Sequence, residues 1–530
     1  MLNFFIKGFR VSALLTIVSR VSGFVRDIFL AYFLGAGIQS DIFLISSKLP
    51  NLFRRITAEG AMTSSFLPIY SQLLHMQKND KDNAQKFSAI ICFILLFLLF
   101  IIVTIFEIFM PEIISVIAPG IIKNSMIFDQ VVIISRFTII FLPFISLTAL
   151  FGAMLNASGR FFYFAFTPII FNLIIILACF FITENFKIKS LPLAIAMPIA
   201  GFVQLCFIFY FAKKFKLINK AFFKLSNFTK NSFLNFKTYI SKAFKRFLPA
   251  VFTGGIFQIN ILVDTILATL VGFGAVSFLY YADRIIQLPL GIIGVSLGTA
   301  LVSSVSHPKV INNDNRISDQ LIRAIKISIY FSVPSMLSLI FFSEFIISGL
   351  FERGSFQIES VKSVALALSM YSLGLPFIMI IKCLQSVFIA LGQLKKILFI
   401  SIIQLSLNIV LSIILMKYLA HAGIALATTI SNFFAFIIYI IYTIKKKKLK
   451  MKTLDKNKLD GLDNIVLYIL KILFISFIMI FILYQFLYQT NFSSGFIYLS
   501  LFTILGVLFY IIITYITKTI PTELFSKKNL

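Results

Sequence analysis

Among the ionisable residues within long apolar stretches of this chain, twelve stand out: Arg20, Arg26, Asp27, Asp41, Lys48, Arg54, Arg55 and Glu59 near the start, and Asp264, Asp283, Arg284 and Lys382 further along. A charge at bilayer depth is costly unless it faces a cavity or a partner, so such residues point inward. Basic side chains outnumber acidic ones in this set, and a cationic cavity calls for an anionic cargo. Arginine suits phosphate in particular, because its rigid fork makes two charge-assisted hydrogen bonds at once. Arg26, Arg284 and Lys382 carry this reading furthest, since their flanks are apolar on both sides. A structural reading stays open for others. Arg54, Arg55 and Glu59 fit a helix-break cluster near a membrane face equally well, and Lys48 can snorkel. The neighbours Arg26 and Asp27, like Asp283 and Arg284, project from different helix faces and are not automatic ion pairs.

The elements that must position these groups are membrane spans. Of 530 residues, 59% are hydrophobic and 13% charged, with a mean hydropathy of +0.99, whereas a soluble chain carries about 25% charged residues. Such a composition cannot cover a folded surface in water. Apolar runs place spans near 12–34, 42–74, 87–110, 130–154, 161–183, 191–212, 247–271, 276–305, 322–348, 363–391, 396–417, 421–444, 465–489 and 495–517, fourteen in all. Runs of this length without period-two alternation are helices and not barrel strands. The expected fold class is therefore an all-α polytopic membrane protein.

The net charge of +28 comes from 48 Lys and Arg against 20 Asp and Glu. Most of these cations sit on alternate joints, which marks the cytoplasmic side and places both termini there. The charge thus reports orientation, and no nucleic-acid partner is expected. The stretch 213–246 holds ten basic residues and no acidic one, either as a solvated orientation signal or as an interfacial helix on anionic headgroups. Cys92, Cys179, Cys206 and Cys383 lie in apolar runs without paired or metal-ligand spacing, and His75, His307 and His421 stand far apart at span ends. No catalytic constellation and no Walker A loop are present, so the chain reads as a transporter that does not use ATP directly, and not as an enzyme.

The sequence repeats itself once. Asp27, Ala31, Gly35 and Gly37 have the spacing of Asp264, Ala268, Gly272 and Gly274. "LPFI" at 142–145 leads to Ala157 and Gly159 as "LPFI" at 375–378 leads to Ala390 and Gly392, and Asn172 answers Asn408. The expected organisation is a six-helix lobe over 1–212, the basic segment 213–246, a second six-helix lobe over 247–444, a basic linker over 445–464, and two extra helices within 465–530. Six is even, so both lobes enter the membrane in one direction and the repeat is parallel. Two lobes rocking about a central cavity give alternating access.

The stretch 19–70, "SRVSGFVRDIFLAYFLGAGIQSDIFLISSKLPNLFRRITAEGAMTSSFLPIY", resembles the signature of the MurJ (MviN) lipid II flippases. Further likeness lies in "APG" at 118–120, "YYADRIIQLPLGIIGVSLGTALVSSVS" at 280–306 and "HAGIALA" at 421–427, so the resemblance covers essentially the whole chain. The family shares its superfamily with multidrug extruders and polysaccharide flippases, which are the alternative readings. The resemblance implies export of the undecaprenyl-pyrophosphate-linked disaccharide pentapeptide across a bacterial inner membrane for peptidoglycan synthesis. It implies lipid II and membrane lipids as partners, cell-wall synthesis proteins beside them, and no organic cofactor. It aligns Arg20, Arg26, Arg54, Arg55 and Arg284 with cavity arginines, Asp41 and Glu59 with acidic positions, and Asn172 with a polar cavity position. A sodium site found in some members would fall on Asp264, Asn408 and Thr428, with Ser412 in place of an acidic ligand. Gln287 stands where many relatives have Glu. A multidrug antiporter would need an acidic cavity for cations, which the basic excess opposes.

Overall fold

Backbone groups that lipid cannot satisfy must pair within their own segment, and among the described residues every regular element is helical. The computed structural model describes residues 2–55, 62, 64–75, 81–182, 186, 188–219, 222–224, 230–311, 313–445, 462–490 and 495–521. Glu59 and most of the basic linker 445–464 lie outside the described residues. Two compact units divide the chain at Val276 and Ser277.

The first unit contains α1 (Leu2–Leu34), α2 (Ile38–Ser46), α3 (Lys48–Arg54), α4 (Leu67–His75), α5 (Lys81–Ile108), α6 (Met110–Ile117), α7 (Ser125–Ile139), α8 (Phe141–Ala157), α9 (Phe161–Cys179), α10 (Leu191–Lys214) and α11 (Lys230–Val271). One apolar core joins α4, α5, α8 and α10 around Tyr70, Phe87, Leu150 and Ile208, and a second joins α1, α2, α8, α9 and α10 around Leu30, Phe141, Ile175 and Met197. At 42 residues α11 is the longest helix of this unit. Its N-terminal part packs Phe236 and Ala243 on the first core, so the interval 230–246 is helical and continuous with the seventh span.

The second unit contains α12 (Ala275–Pro289, beginning at the boundary), a π-turn over Leu290–Gly294, α13 (Val295–Val305), α14 (Pro308–Ile311), α15 (Asp314–Phe341), α16 (Ser343–Phe351), α17 (Ile358–Ser372), α18 (Leu375–Ala390), α19 (Leu394–Lys445), α20 (Leu462–Thr490) and α21 (Phe496–Ile516). Its core runs through α15, α18, the C-terminal arm of α19, α20 and α21, with Leu321, Leu384, Tyr439 and Ile472 buried. The Tyr510 hydroxyl donates to the Tyr330 carbonyl at 2.7 Å, and the Tyr330 hydroxyl meets Thr514 Oγ1 at 3.0 Å. The two extra helices are thus fastened to this unit by buried polar contacts as well as by apolar packing.

Element boundaries reproduce the repeat read from sequence. Lys81–Ile108 recurs as Asp314–Phe341, and Ser125–Ile139 as Ile358–Ser372, each shifted by 233 residues. The shared "LPFI" explains the breaks that follow. Pro143 and Pro376 carry no N–H for the carbonyls four residues back, which are those of Ile139 and Ser372, the last residues of α7 and α17. The second break bends the helix pair by 45°. Gly159 (φ 78°) and Gly392 (φ 68°) then end α8 and α18 in the left-handed region. Their followers Arg160 and Gln393 donate five residues back, to Leu155 and Phe388, a Schellman closure that glycine makes free of strain.

Among the described residues nine helices are long and apolar enough to cross a membrane, or ten with the bent pair. One of them, 394–444, holds both the eleventh and twelfth expected spans, separated where Ala420 leaves helical geometry at φ 49°. Within the expected span 42–74 the helix is interrupted at Ser47, between α2 and α3.

Candidate functional site

The first unit builds its polar centre on the packing of α1 against α9. Ser19, Ser22 and Arg26 recur at helical spacing along one α1 face, and Asn172 of α9 meets them. Arg26 gives Nε and Nη2 to a single oxygen, Asp27 Oδ1, at 3.1 and 2.7 Å, and Nη1 to Asn172 Oδ1 at 3.1 Å. Asn172 Nδ2 donates in turn to Ser22 Oγ at 2.8 Å and to the Ser19 carbonyl at 3.3 Å. The Asp27 side chain is 2% exposed and that of Arg26 16%. Adjacent helical residues project about 100° apart, yet the long arginine stem reaches back to the neighbouring carboxylate. All three guanidinium nitrogens are thereby held in one orientation.

The other expected residues of this unit divide among different places. Arg20 is exposed, about 120° round α1 from Arg26 by helical geometry. Asp41 of α2 is buried, and its Oδ2 accepts from the Gly274 N–H at 2.6 Å. Ser46 donates to the Val131 carbonyl, and Thr138 returns a bond to the Ser46 carbonyl, so α2 is held to α7. Gly120 lies so close to α11 that a Cβ there would fall 1.8 Å from the Thr269 carbonyl oxygen. Lys48, Arg54 and Arg55 are half-buried on and just after α3.

In the second unit Tyr280, Asp283, Arg284 and Gln287 share one face of α12 at i, i+3, i+4 and i+7 spacing. Arg284 Nη2 donates to Tyr280 Oη at 3.1 Å, and its guanidinium lies 4.6 Å from the centre of that ring. Gln287 Nε2 donates to Asp283 Oδ2. The amide standing in for a glutamate therefore hydrogen-bonds the aspartate one turn away. Lys382 is half-buried on α18. One turn on, Ser386 Oγ donates to its carbonyl, beside the close approach of Gly298.

The sodium ligands implied by resemblance are distributed between the units, Asp264 on α11 and Asn408 and Thr428 on α19. The α19 residues do not fit a cation. Asn408 Oδ1 accepts from Ser412 Oγ at 2.9 Å, and Asn408 turns its NH2 to Thr428 Oγ1 at 3.0 Å. No cluster of three or more His, Cys, Asp or Glu that could hold a metal occurs among the described residues.

One ion pair escaped the sequence reading. Arg136 Nε of α7 stands 3.8 Å from Glu107 Oε2 of α5, with the side chains 48% and 34% exposed. Both lie in expected spans, so the rule that singled out the other charges would have found them.

With nine helices among the described residues long and apolar enough to cross a membrane, this is a multi-pass membrane protein. The family model described as "Lipid II flippase MurJ" matches residues 30–516. The chain is 35% identical over 426 residues to a probable lipid II flippase MurJ of Rickettsia prowazekii (strain Madrid E), covering 80% of this chain and 81% of that one. It is 32% identical to the counterpart of Buchnera aphidicola subsp. Schizaphis graminum (strain Sg), covering 80% of each. A solved lipid II flippase MurJ in an inward closed conformation is similar over 96% of this chain and 98% of that one, with 27% identity and a TM-score of 0.77. An inward-facing multidrug MATE transporter shares the fold over 84% of this chain and 99% of that one, at 15% identity and a TM-score of 0.68. This chain belongs to the MurJ family of lipid II flippases.

Proposed function

We infer that this chain moves lipid II from the inner to the outer leaflet of a bacterial cytoplasmic membrane by alternating access, as a transporter and not an enzyme. The observation that supports this reading best, beside membership of the family, is the Arg26 guanidinium held by Asp27 and Asn172 within apolar helices. A fixed fork of donors suits the pyrophosphate, whereas the polyprenyl tail is compatible with the surrounding lipid. Arg284, steadied by Tyr280, gives the second unit an arginine suited to phosphate of its own. The buried Asp41 to Gly274 bond acts as a closure that must open when the cargo leaves. With Lys- and Arg-rich joints inside, both termini are cytoplasmic, and the exported lipid II supplies cell-wall synthesis proteins at the outer leaflet.

A pyrophosphate moving outward from a negative-inside cell gains about 2.3 kcal/mol per charge per 100 mV. Membrane potential therefore biases export in the productive direction. Flipping that persists at its full rate in right-side-out vesicles after the potential is collapsed, with sodium absent, contradicts this driving force. The function itself is tested by complementing a bacterium depleted of its own flippase with the parent chain and with Arg26→Ala and Arg284→Ala, membrane levels being matched. Growth with the parent and lysis with both variants is expected. Growth with either variant removes that arginine from the site, and failure of a well-inserted parent in its own host background removes the lipid II reading.

A further inference from the structure

The two arms of α19, before and after Ala420, are joined by a continuous run of neutral hydrogen bonds deep in the second unit. Ser412 Oγ donates to Asn408 Oδ1 at 2.9 Å, and Asn408 Nδ2 donates to Thr428 Oγ1 at 3.0 Å. Thr428 Oγ1 passes its own proton to the Ile424 carbonyl at 3.1 Å. The Thr428 carbonyl accepts from Asn432 Nδ2 at 2.6 Å and from Ser431 Oγ at 2.9 Å, while Asn432 Oδ1 accepts from Gln404 Nε2 at 2.9 Å. Ser412 and Asn408 are fully buried, at 0% and 1% exposure.

We propose that this ladder is an ion-free latch across the α19 hairpin, and that it makes the protein indifferent to sodium. Three features carry the inference. Hard cations take oxygen ligands and are favoured by carboxylate charge, yet the ladder's side chains are all neutral. Asn408 Oδ1 and Thr428 Oγ1 each already accept a hydrogen bond from a ladder neighbour. The Asn408 amide also turns its nitrogen to Thr428, so an entering cation would meet N–H groups where it needs lone pairs. An ion entering between the arms would compete with these buried bonds, and no carboxylate of the ladder repays that cost. Ser412 is the residue that closes the ladder: a carboxylate at that position could not donate to Asn408 Oδ1 and would instead repel it and attract a cation.

The test uses the purified full-length protein in detergent at constant ionic strength, with sodium chloride replaced stepwise by potassium chloride while thermal unfolding is followed. The parent is expected to show the same Tm in both salts. Ser412→Asp is expected to gain a sodium-specific, saturable rise of about 2 °C or more once sodium is well above its dissociation constant, and Ser412→Ala to remain indifferent. A saturable sodium-specific rise in the parent overturns the proposal, as does a Ser412→Asp protein that unfolds cooperatively yet ignores sodium. The consequence for transport rests on the flippase reading: lipid II export by the parent in vesicles should be unchanged, within twofold, when potassium replaces sodium on both sides. Absence of any export would count against the flippase reading, whereas export that falls tenfold without sodium would count against the latch.

Discussion

Asn172 and Asn408 occupy equivalent places in the two halves of the repeat and do opposite work. In the first unit the amide oxygen of Asn172 accepts from a guanidinium, and its nitrogen ties that arrangement back to Ser22 and Ser19. In the second, Asn408 accepts from a serine and donates to a threonine, with no charge in the ladder. The scaffold around both is conserved down to the proline breaks and the left-handed glycines. The helices and their ends, which packing constrains, recur in both units, whereas one polar centre holds an ion pair and the other neutral bonds only. Their arginines differ likewise: Arg26 is framed by a carboxylate and an amide, whereas Arg284 leans on an aromatic ring and its hydroxyl.

The largest effect that sharpens this contrast is expected at Arg26. Arg26→Ala leaves Asp27 buried without its counter-charge, and breaking a buried pair by removing one partner costs about 3–5 kcal/mol. Thermal unfolding should show most of that loss recovered in the Arg26→Ala, Asp27→Asn double variant, while export stays abolished. Recovery of stability without recovery of flipping separates the electrostatic role of the arginine from its cargo role.

The two asparagines themselves come next. Each substitution to alanine leaves buried groups without partners, at a cost of about 1–3 kcal/mol, so Asn172→Ala and Asn408→Ala should lower stability similarly. Their transport should diverge: a tenfold or greater loss of lipid II flipping for Asn172→Ala, which releases Arg26, against a change of less than threefold for Asn408→Ala. Equal losses of flipping would erase the distinction between a site and a fastening. Smaller still is the effect expected at Tyr280, where Tyr280→Leu removes a cation–π contact of about 0.5–2 kcal/mol and should weaken flipping several-fold without altering membrane levels. The smallest is Ser412→Ala, which deletes one neutral bond of about 1 kcal/mol and should be visible in unfolding alone.

Much of this contrast was legible in the sequence. Apolar runs and their lengths dictate helices, and the collinear repeat named the equivalent residues, because both follow from local composition. Arg26 stood out by its apolar flanks. Its pairing with Asp27 did not, since helical projection separates neighbours and only the reach of the arginine stem brings them together. The resemblance grouped Asn408, Thr428 and Ser412, but as an ion site; their ladder with Asn432 and Gln404 becomes a network only once the break at Ala420 folds the two arms together. The expected span 42–74 read as one segment because apolar residues flank its few charges on both sides, while the structure divides it at Ser47. The close approach of Gly120 to Thr269 depends on tertiary packing that no local pattern encodes.

The most direct test of the central claim is a flipping assay with the purified protein in liposomes, a negative-inside potential imposed, and lipid II as the only polyprenyl-linked substrate. Accessibility of the headgroup to an outside reagent should rise with the parent and remain at the protein-free background with Arg26→Ala reconstituted to the same level. A parent that leaves lipid II at that background while moving a different polyprenyl-linked glycan, or an Arg26→Ala protein that flips as fast as the parent, would contradict the account.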